Sequence, residues 1–240
     1  MFICALLHTK NAKITNFLLL KWRKVSAVIN LTLDRMLIMY TLYHFQISCS
    51  SAVKMALEII GVEHKTVVVN LFEGAQHKTD FLALNPLGKL PVLVENEKVF
   101  TQGEAILIYL SQKHKNAHLM PDLATYQGMD ALKWLNFIAS SLHGHFTKIF
   151  HPEKISHDHD VVKQNAEEEI VKLLNLVEDR LTNSQYLAGN MPSMADLYFA
   201  VVLGWGQVLS FDLYERYPNF VSYKKQLQTK FPLSPTLQSI

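Results

Sequence analysis

The run Lys89–Leu110, KLPVLVENEKVFTQGEAILIYL, carries the signals that decide the fold. Val92–Val94 is short, apolar and largely β-branched, as a strand is, and Lys98–Phe100 reads as a returning strand after a polar turn at Glu95–Glu97. A helix pattern then opens at Thr101 and ends near His114. Pro91 stands at the mouth of the first strand, where it has no N–H to give a ladder. Such a proline sits at a sheet edge or follows a cis bond at a turn. A cis Leu90–Pro91 bond would turn the N–H and C=O of Leu90 outward, able to pair with a short peptide as an added strand does. Thr101 and Glu104 have the T-x-x-E spacing of a capping box, which would leave the N–H groups of Gln102 and Gly103 free for a carboxylate.

Upstream, MYTLYHF (Met39–Phe45) reads as a strand. Ser51–Ile60 reads as an amphipathic helix that stops at Gly61. Lys65–Val69, KTVVV, has the composition of a buried strand, and a short helix is expected over Asp80–Leu84. The order is β-α-β-α-β-β-α. Downstream of KNAHLMPD the strand signals stop. Helices are expected over Ala124–Phe150, Val161–Leu181, Ser193–Val208 and Asn219–Gln228, with breaks at Pro152, Asn183 and Pro218. Alternating β and α followed only by helices predicts two domains, an α/β domain over 39–115 and an all-helical one over 121–240, with a hinge near 115–123.

Residues 1–38 differ in character. They hold Lys10, Lys13, Lys21, Arg23, Lys24 and Arg35 against Asp34 alone, while the whole chain of 240 residues is only +2. Charges interrupt the short apolar pieces, so neither a secretory signal nor a membrane span is legible there. An appendage or an upstream translation start is expected, with Met36 or Met39 opening the folded unit; a transit peptide is the alternative. With 49% apolar and 18% charged residues the chain can bury a large core, and its charge suits neither a nucleic-acid surface nor a membrane. Cys4 and Cys49 are too few for a disulfide framework, which points to a reducing, cytoplasmic setting.

Cys49 lies between an expected strand and the start of the Ser51 helix. A helix start offers unpaired N–H groups and partial positive charge, which lower a thiol's pKa from about 8.5. Dithiol chemistry would need a cysteine where Ala52 stands, so a working sulfur here would act alone, in mixed disulfides or by holding another molecule's sulfur. A small buried filler is the competing reading. Farther on, Asn136, Ser140, His143 and Thr147 fall on one face of an otherwise apolar helix, facing solvent or lining a cleft. The histidine-rich run His143–Asp160 could in principle hold zinc or nickel, but His-x-His on a helix points its rings apart and the remainder reads as loop; no metal site is expected.

These stretches together resemble the cytosolic glutathione transferases of the bacterial beta class over residues 39–240. The resemblance rests on CSSAVKMALEIIGV, FLALNPLGKLPVLVENEKVFTQGEAILIYL, WLNFIASSLHGHFTKIF and YLAGNMPSMADLYFAVVLGW. It implies an α/β thioredoxin-like N-terminal domain with a cis-proline, an all-α helical C-terminal domain and a homodimer. It also implies conjugation of glutathione, a co-substrate rather than a resident cofactor, to small hydrophobic electrophiles, with thiol–disulfide exchange through Cys49. Carried over by position, Cys49 faces the glutathione sulfur, with Ser50 a reserve donor and His143 near the thiol. Leu90 before cis Pro91 pairs with the cysteinyl unit, Gln102 and Gly103 hold the γ-glutamyl group, and Asn136 lines the cleft. Tyr43 keeps the family's strand tyrosine, and Ser193–Asp196 matches its capping box, a folding feature.

Several positions depart from the family pattern. Gln102 stands where an acidic residue is usual, Gly144 replaces a basic residue after His143, and Glu73 occupies a position usually held by lysine. Lys78 is the substitute expected to reach the glycyl carboxylate. The approach to Cys49, HFQIS, is one residue longer than usual. Weakened glutathione binding follows, and a non-catalytic, transferase-like module that binds a protein partner is the alternative function.

Overall fold

The computed structural model describes residues 40–240, so the extension read at residues 1–38 lies outside the described residues. Strand β1 (Tyr40–His44) is followed by helix α1 (Ser50–Ile60), strand β2 (His64–Val68), a 3₁₀ turn at Ala75–His77 and helix α2 (Thr79–Leu84). The hairpin β3 (Val92–Glu95) and β4 (Lys98–Thr101) leads into α3 (Gly103–Lys113). The sheet order is β2-β1-β3-β4, with β1 parallel to β2 and antiparallel to β3, and β3 antiparallel to β4. This is the expected β-α-β-α-β-β-α order of a thioredoxin-like domain.

One strand differs from its sequence reading. The composition of β2 predicts burial on both faces, yet it forms an edge of the sheet and Val68 is exposed. Only Val69, just past the strand, packs fully, against Phe81 and Val92. The β3–β4 hairpin closes through Asn96 and Glu97, both at positive φ, the twist that a two-residue turn needs.

Helix α1 stops where expected. Gly61 takes φ 73°, and its N–H bonds the Leu57 carbonyl at 3.0 Å. Its apolar face, with Ala52, Val53, Met55, Ala56 and Leu57, is buried.

The helical part comprises α4 (Tyr126–Asn136), a π-helical segment (Phe137–Leu142), α5 (His143–Phe150), α6 (His159–Thr182), α7 (Met194–Gly204), α8 (Leu213–Arg216), α9 (Pro218–Lys230) and α10 (Pro235–Gln238). The sequence predicts one unbroken helix over 124–150, and the π segment corrects this reading: the wider turns rotate α5 relative to α4. The polar residues therefore do not share a single face. Helix α6 begins two residues earlier than expected because the Asp158 carboxylate accepts from the Val161 N–H. Pro218, expected as a break, is the first residue of α9, where its missing N–H costs nothing.

The inner helix is α7, from Met194 to Leu203 buried at every position. Its capping box forms as expected, and Asp196 does more than cap. The buried Asp196 carboxylate accepts from the Ser193 N–H at 2.7 Å, the Ser193 hydroxyl at 2.9 Å, the Leu187 N–H at 2.9 Å and the Tyr223 hydroxyl at 2.8 Å. It thereby joins α7, α9 and the turn before α7. At the other end, Glu58 of α1 accepts from Ser234 at 2.5 Å, the Thr236 hydroxyl at 2.7 Å and the Thr236 N–H at 3.2 Å, which fastens the C-terminal turn to the first helix.

Replacing Asp196 with Ala leaves two buried N–H groups and a buried phenol unpaired, each costing about 1–3 kcal/mol. Urea unfolding of Asp196→Ala is expected to show a loss of about 3–5 kcal/mol, and Asp196→Asn, which keeps an acceptor oxygen, a smaller one. A loss under about 1 kcal/mol in the Ala variant would contradict this account.

Candidate functional site

The sulfur of Cys49 sits at the first turn of α1, where the α/β part meets α7. In the loop before it, Phe45–Ser48, Ile47 takes φ 66° and projects outward. The Trp205 indole N–H donates to the Ile47 carbonyl at 2.6 Å and holds that loop to the end of α7.

Ser50 is engaged in the same loop. Its buried hydroxyl lies 2.7 Å from His44 Nδ1 and 2.6 Å from the Ser48 hydroxyl, and accepts from the Phe45 N–H at 3.2 Å. The reserve donor expected at Ser50 is thus committed to folding the loop, and only its backbone N–H serves the sulfur.

The Leu90–Pro91 bond is cis, and the Cys49 thiol points at the Leu90 carbonyl, 3.4 Å away. Gly103 fits against the proline: a Cβ there would lie 3.4 Å from the ring carbons of Pro91 and 3.7 Å from Tyr198 Cε2. From the helical side, the buried Tyr198 hydroxyl lies 2.9 Å from His143 Nδ1. The Trp205 ring covers His143 at 4.8 Å.

The electrostatics overturn the expectation that the helix start lowers the pKa of Cys49. Desolvation pushes the thiol up to about 11, although hydrogen bonds from Tyr198 and the N–H groups of Cys49 and Ser50, and the charge of Lys89, pull the other way. The helix start is also less generous than assumed, because the N–H groups of Ser51 and Ala52 already bond the carbonyls of Ser48 and Cys49 at 2.9 and 3.2 Å. His143 is pushed down to about 4, by burial first and then by Lys89. The resting site is therefore a neutral thiol, a neutral phenol and a neutral imidazole, with one ammonium near by.

The capping box expected at Thr101 and Glu104 does not form. Thr101 ends β4, and Gln102, at φ 69°, starts the helix without a side-chain cap. The hairpin's register carries the chain too far for Thr101 to turn back over α3. Glu104 is left half-buried, its pKa raised by desolvation. Gln102 itself is exposed and neutral.

The other expected site residues are scattered. Asn136 is exposed and accepts from Ser140 at 3.0 Å, because the π segment turns it away from the face of His143. Tyr43 packs edge-on against Phe81. Lys78 is exposed at the start of α2. Among the described residues no group of His, Cys, Asp and Glu is arranged to hold a metal ion, and no helix is long and apolar enough to cross a membrane.

Sequence reasoning missed two members of the site. Tyr198 was hidden in the apolar run of α7, where an aromatic reads as core. Lys89 was visible only as a link in the NPLGKLP loop, yet its charge acts on both Cys49 and His143.

Comparison with known proteins agrees with this architecture. The glutathione S-transferase N-terminal domain matches residues 39–112, and the glutathione S-transferase C-terminal domain matches residues 129–229. Glutathione S-transferase D6 of Drosophila melanogaster is 30% identical over 185 residues, 75% of this chain and 83% of that protein. Glutathione S-transferase GstA of Escherichia coli O157:H7 is 28% identical over 168 residues, 69% of this chain and 82% of that one. Among solved structures, a glutathione transferase from Methylococcus capsulatus superposes with a TM-score of 0.71 at 32% identity, covering 83% of this chain and 96% of that one. The bacterial beta class glutathione S-transferase of Sphingomonas chungbukensis gives 0.72 at 27% identity, covering 83% and 98%. The chain belongs to the glutathione S-transferase family.

Two measurements test the electrostatics. His44, pushed down to about 4 by burial and by Lys54, and His143, also about 4, have folded values below the ordinary 6.5. The stability they protect is complete above pH 6.5 and is lost as pH falls toward 4, up to about 3 kcal/mol for each. Urea unfolding across that range should show the fall, and a flat profile would contradict it. Alkylation of Cys49 by iodoacetamide should still be accelerating at pH 9, whereas a plateau by pH 7 would mean a resting thiolate.

Proposed function

We propose that this protein conjugates glutathione to small hydrophobic electrophiles in the manner of the beta class, with glutathione as co-substrate and no resident cofactor. The observation that carries this reading is the Cys49 thiol, 3.4 Å from the carbonyl that precedes cis Pro91.

In this reading the cysteinyl backbone of glutathione pairs with Leu90, as an added strand would. Its sulfur then lies beside Cys49. A neutral Cys49 S–H suits that neighbour better than a thiolate, because it can donate to a glutathione anion that a second negative charge would repel. Lys89 adds positive potential on the same side. The glutathione thiolate attacks the electrophilic carbon, and the leaving group departs with its bonding pair. The chain's contribution is placement and stabilisation of that charge.

Thiol–disulfide exchange through Cys49 belongs to the same proposal and runs more slowly at neutral pH. It needs the Cys49 thiolate, which the raised pKa makes scarce. The protein is further proposed to act as a cytoplasmic homodimer, with residues 39–115 the glutathione-binding domain, residues 121–240 the helical domain and residues 1–38 an extension.

Turnover against an aryl halide and a small dialkyl disulfide tests the assignment. Cys49→Ala is expected to abolish disulfide reduction and to spare part of the conjugation; if both activities survive unchanged, or neither exists in the parent protein, the assignment fails. Calorimetric titration should give glutathione binding weaker than low-micromolar. Gln102→Glu is expected to tighten it about fivefold, the difference between a neutral and a charged hydrogen bond to the substrate ammonium. Tighter binding in the parent protein than in that variant would remove Gln102 from the site.

A further inference from the structure

Beside α1 lies a cavity of about 780 Å³, within the size range of small-molecule sites. Ser51 and Lys54 line it from α1, and Ser51, two residues past Cys49, stands about 200° farther round the helix, so the cavity and the sulfur use different faces. Trp205, Phe211 and Tyr214, at and beyond the end of α7, form a second wall. Lys224 lines it from α9, and Thr236 from the C-terminal turn. These walls are fastened to one another. Glu58 accepts from the Thr236 hydroxyl at 2.7 Å and its N–H at 3.2 Å, Trp205 donates to the Ile47 carbonyl at 2.6 Å, and the Ser210 N–H donates to Glu167 at 2.7 Å. The cavity is preformed.

Its charges are unbalanced in a particular way. Lys54 and Lys224 are half-buried, and among the described residues neither is in an ion pair. The carboxylates within reach are engaged elsewhere. Glu58, one turn on from Lys54, is held by Ser234 and Thr236. Asp212, on the cavity wall, accepts from the N–H groups of Tyr214 at 2.8 Å and Glu215 at 2.9 Å. Ile240 also lines the cavity, and its carboxylate pairs with neither lysine. His44 adds no charge at neutral pH, since burial and Lys54 push it down to about 4. An ammonium partly withdrawn from water without a counter-charge favours an anion brought to it. The Lys224 ammonium lies 5.4 Å from the centre of the Tyr214 ring, so positive charge and aromatic surface are adjacent.

We propose that this cavity is a second binding site, for a small organic anion with an aromatic body, its carboxylate or sulfonate held by Lys54 and Lys224 and its rings lying against Trp205, Phe211 and Tyr214. The size of the cavity suits a ligand of two or three fused or linked rings. The two sites meet at Trp205, which lines the cavity and whose ring lies 4.8 Å from that of His143. Cys49 does not line the cavity, and the proposal stands apart from the reaction assigned to the sulfur.

The test is calorimetric titration of the full 240-residue chain, without glutathione, using 1-naphthalenesulfonate as the probe. One saturable site per chain is expected. 1-Naphthalenemethanol, which keeps the rings and lacks the charge, should bind about tenfold more weakly. Lys54→Gln and Lys224→Gln should each weaken the sulfonate about fivefold, an effect between that of an exposed and a buried ion pair. Absence of saturable binding below about 1 mM overturns the proposal, as does equal binding of the neutral analogue or unchanged binding in either lysine variant. Should Lys54→Gln fail to fold by circular dichroism, Lys224→Gln alone decides. Since glutathione is absent from the titration, a failure here leaves the proposed function standing, and loss of that function leaves this site standing.

Discussion

Helix α1 is shared by both parts of the molecule, and the rest of the structure follows from that sharing. One side packs on the sheet and α3, another on α7, and its far end is clamped to the C-terminal turn through Glu58. A helix enclosed in this way can carry little charge at its buried positions, and Ser50–Leu57 accordingly shows only one, Lys54, which stays half-exposed. Cys49 stands at the mouth of this packed seam, so the environment that joins the two parts also sets the properties of the sulfur.

That setting decides a competition between two opposing effects. Partial charges at a helix start favour an anion, whereas removal from water penalises one. At Cys49 the second effect wins, because the first-turn amides of Ser51 and Ala52 are already occupied and the sulfur is enclosed by Leu90 and Tyr198. The thiol is therefore a donor at rest.

Two local irregularities shape the surroundings of the sulfur. Ile47, two residues before Cys49, sits in the left-handed region, and Trp205 secures its carbonyl. The π segment between α4 and α5 turns His143 inward to Tyr198 and leaves Asn136 and Ser140 bonded to each other at the surface. Both features place a wide turn or a strained residue next to the site, as functional regions commonly do.

Much of the fold was legible because it is written in short-range pattern. The cis Pro91, the β3–β4 hairpin, the stop at Gly61 and the Ser193–Asp196 box each depend on residues within a few positions of one another. The order of elements and the cysteine at the first turn of α1 are thus readable from the chain alone. Only packing between distant segments sets Tyr198 beside His143, brings the charge of Lys89 to bear on the sulfur, keeps Thr101 from capping α3 and ties Ser50 into the loop. The physical reason is that desolvation and hydrogen-bond competition are set by neighbours remote in sequence: Tyr198 lies on a helix whose apolar run conceals its one polar atom until α7 is packed against α1.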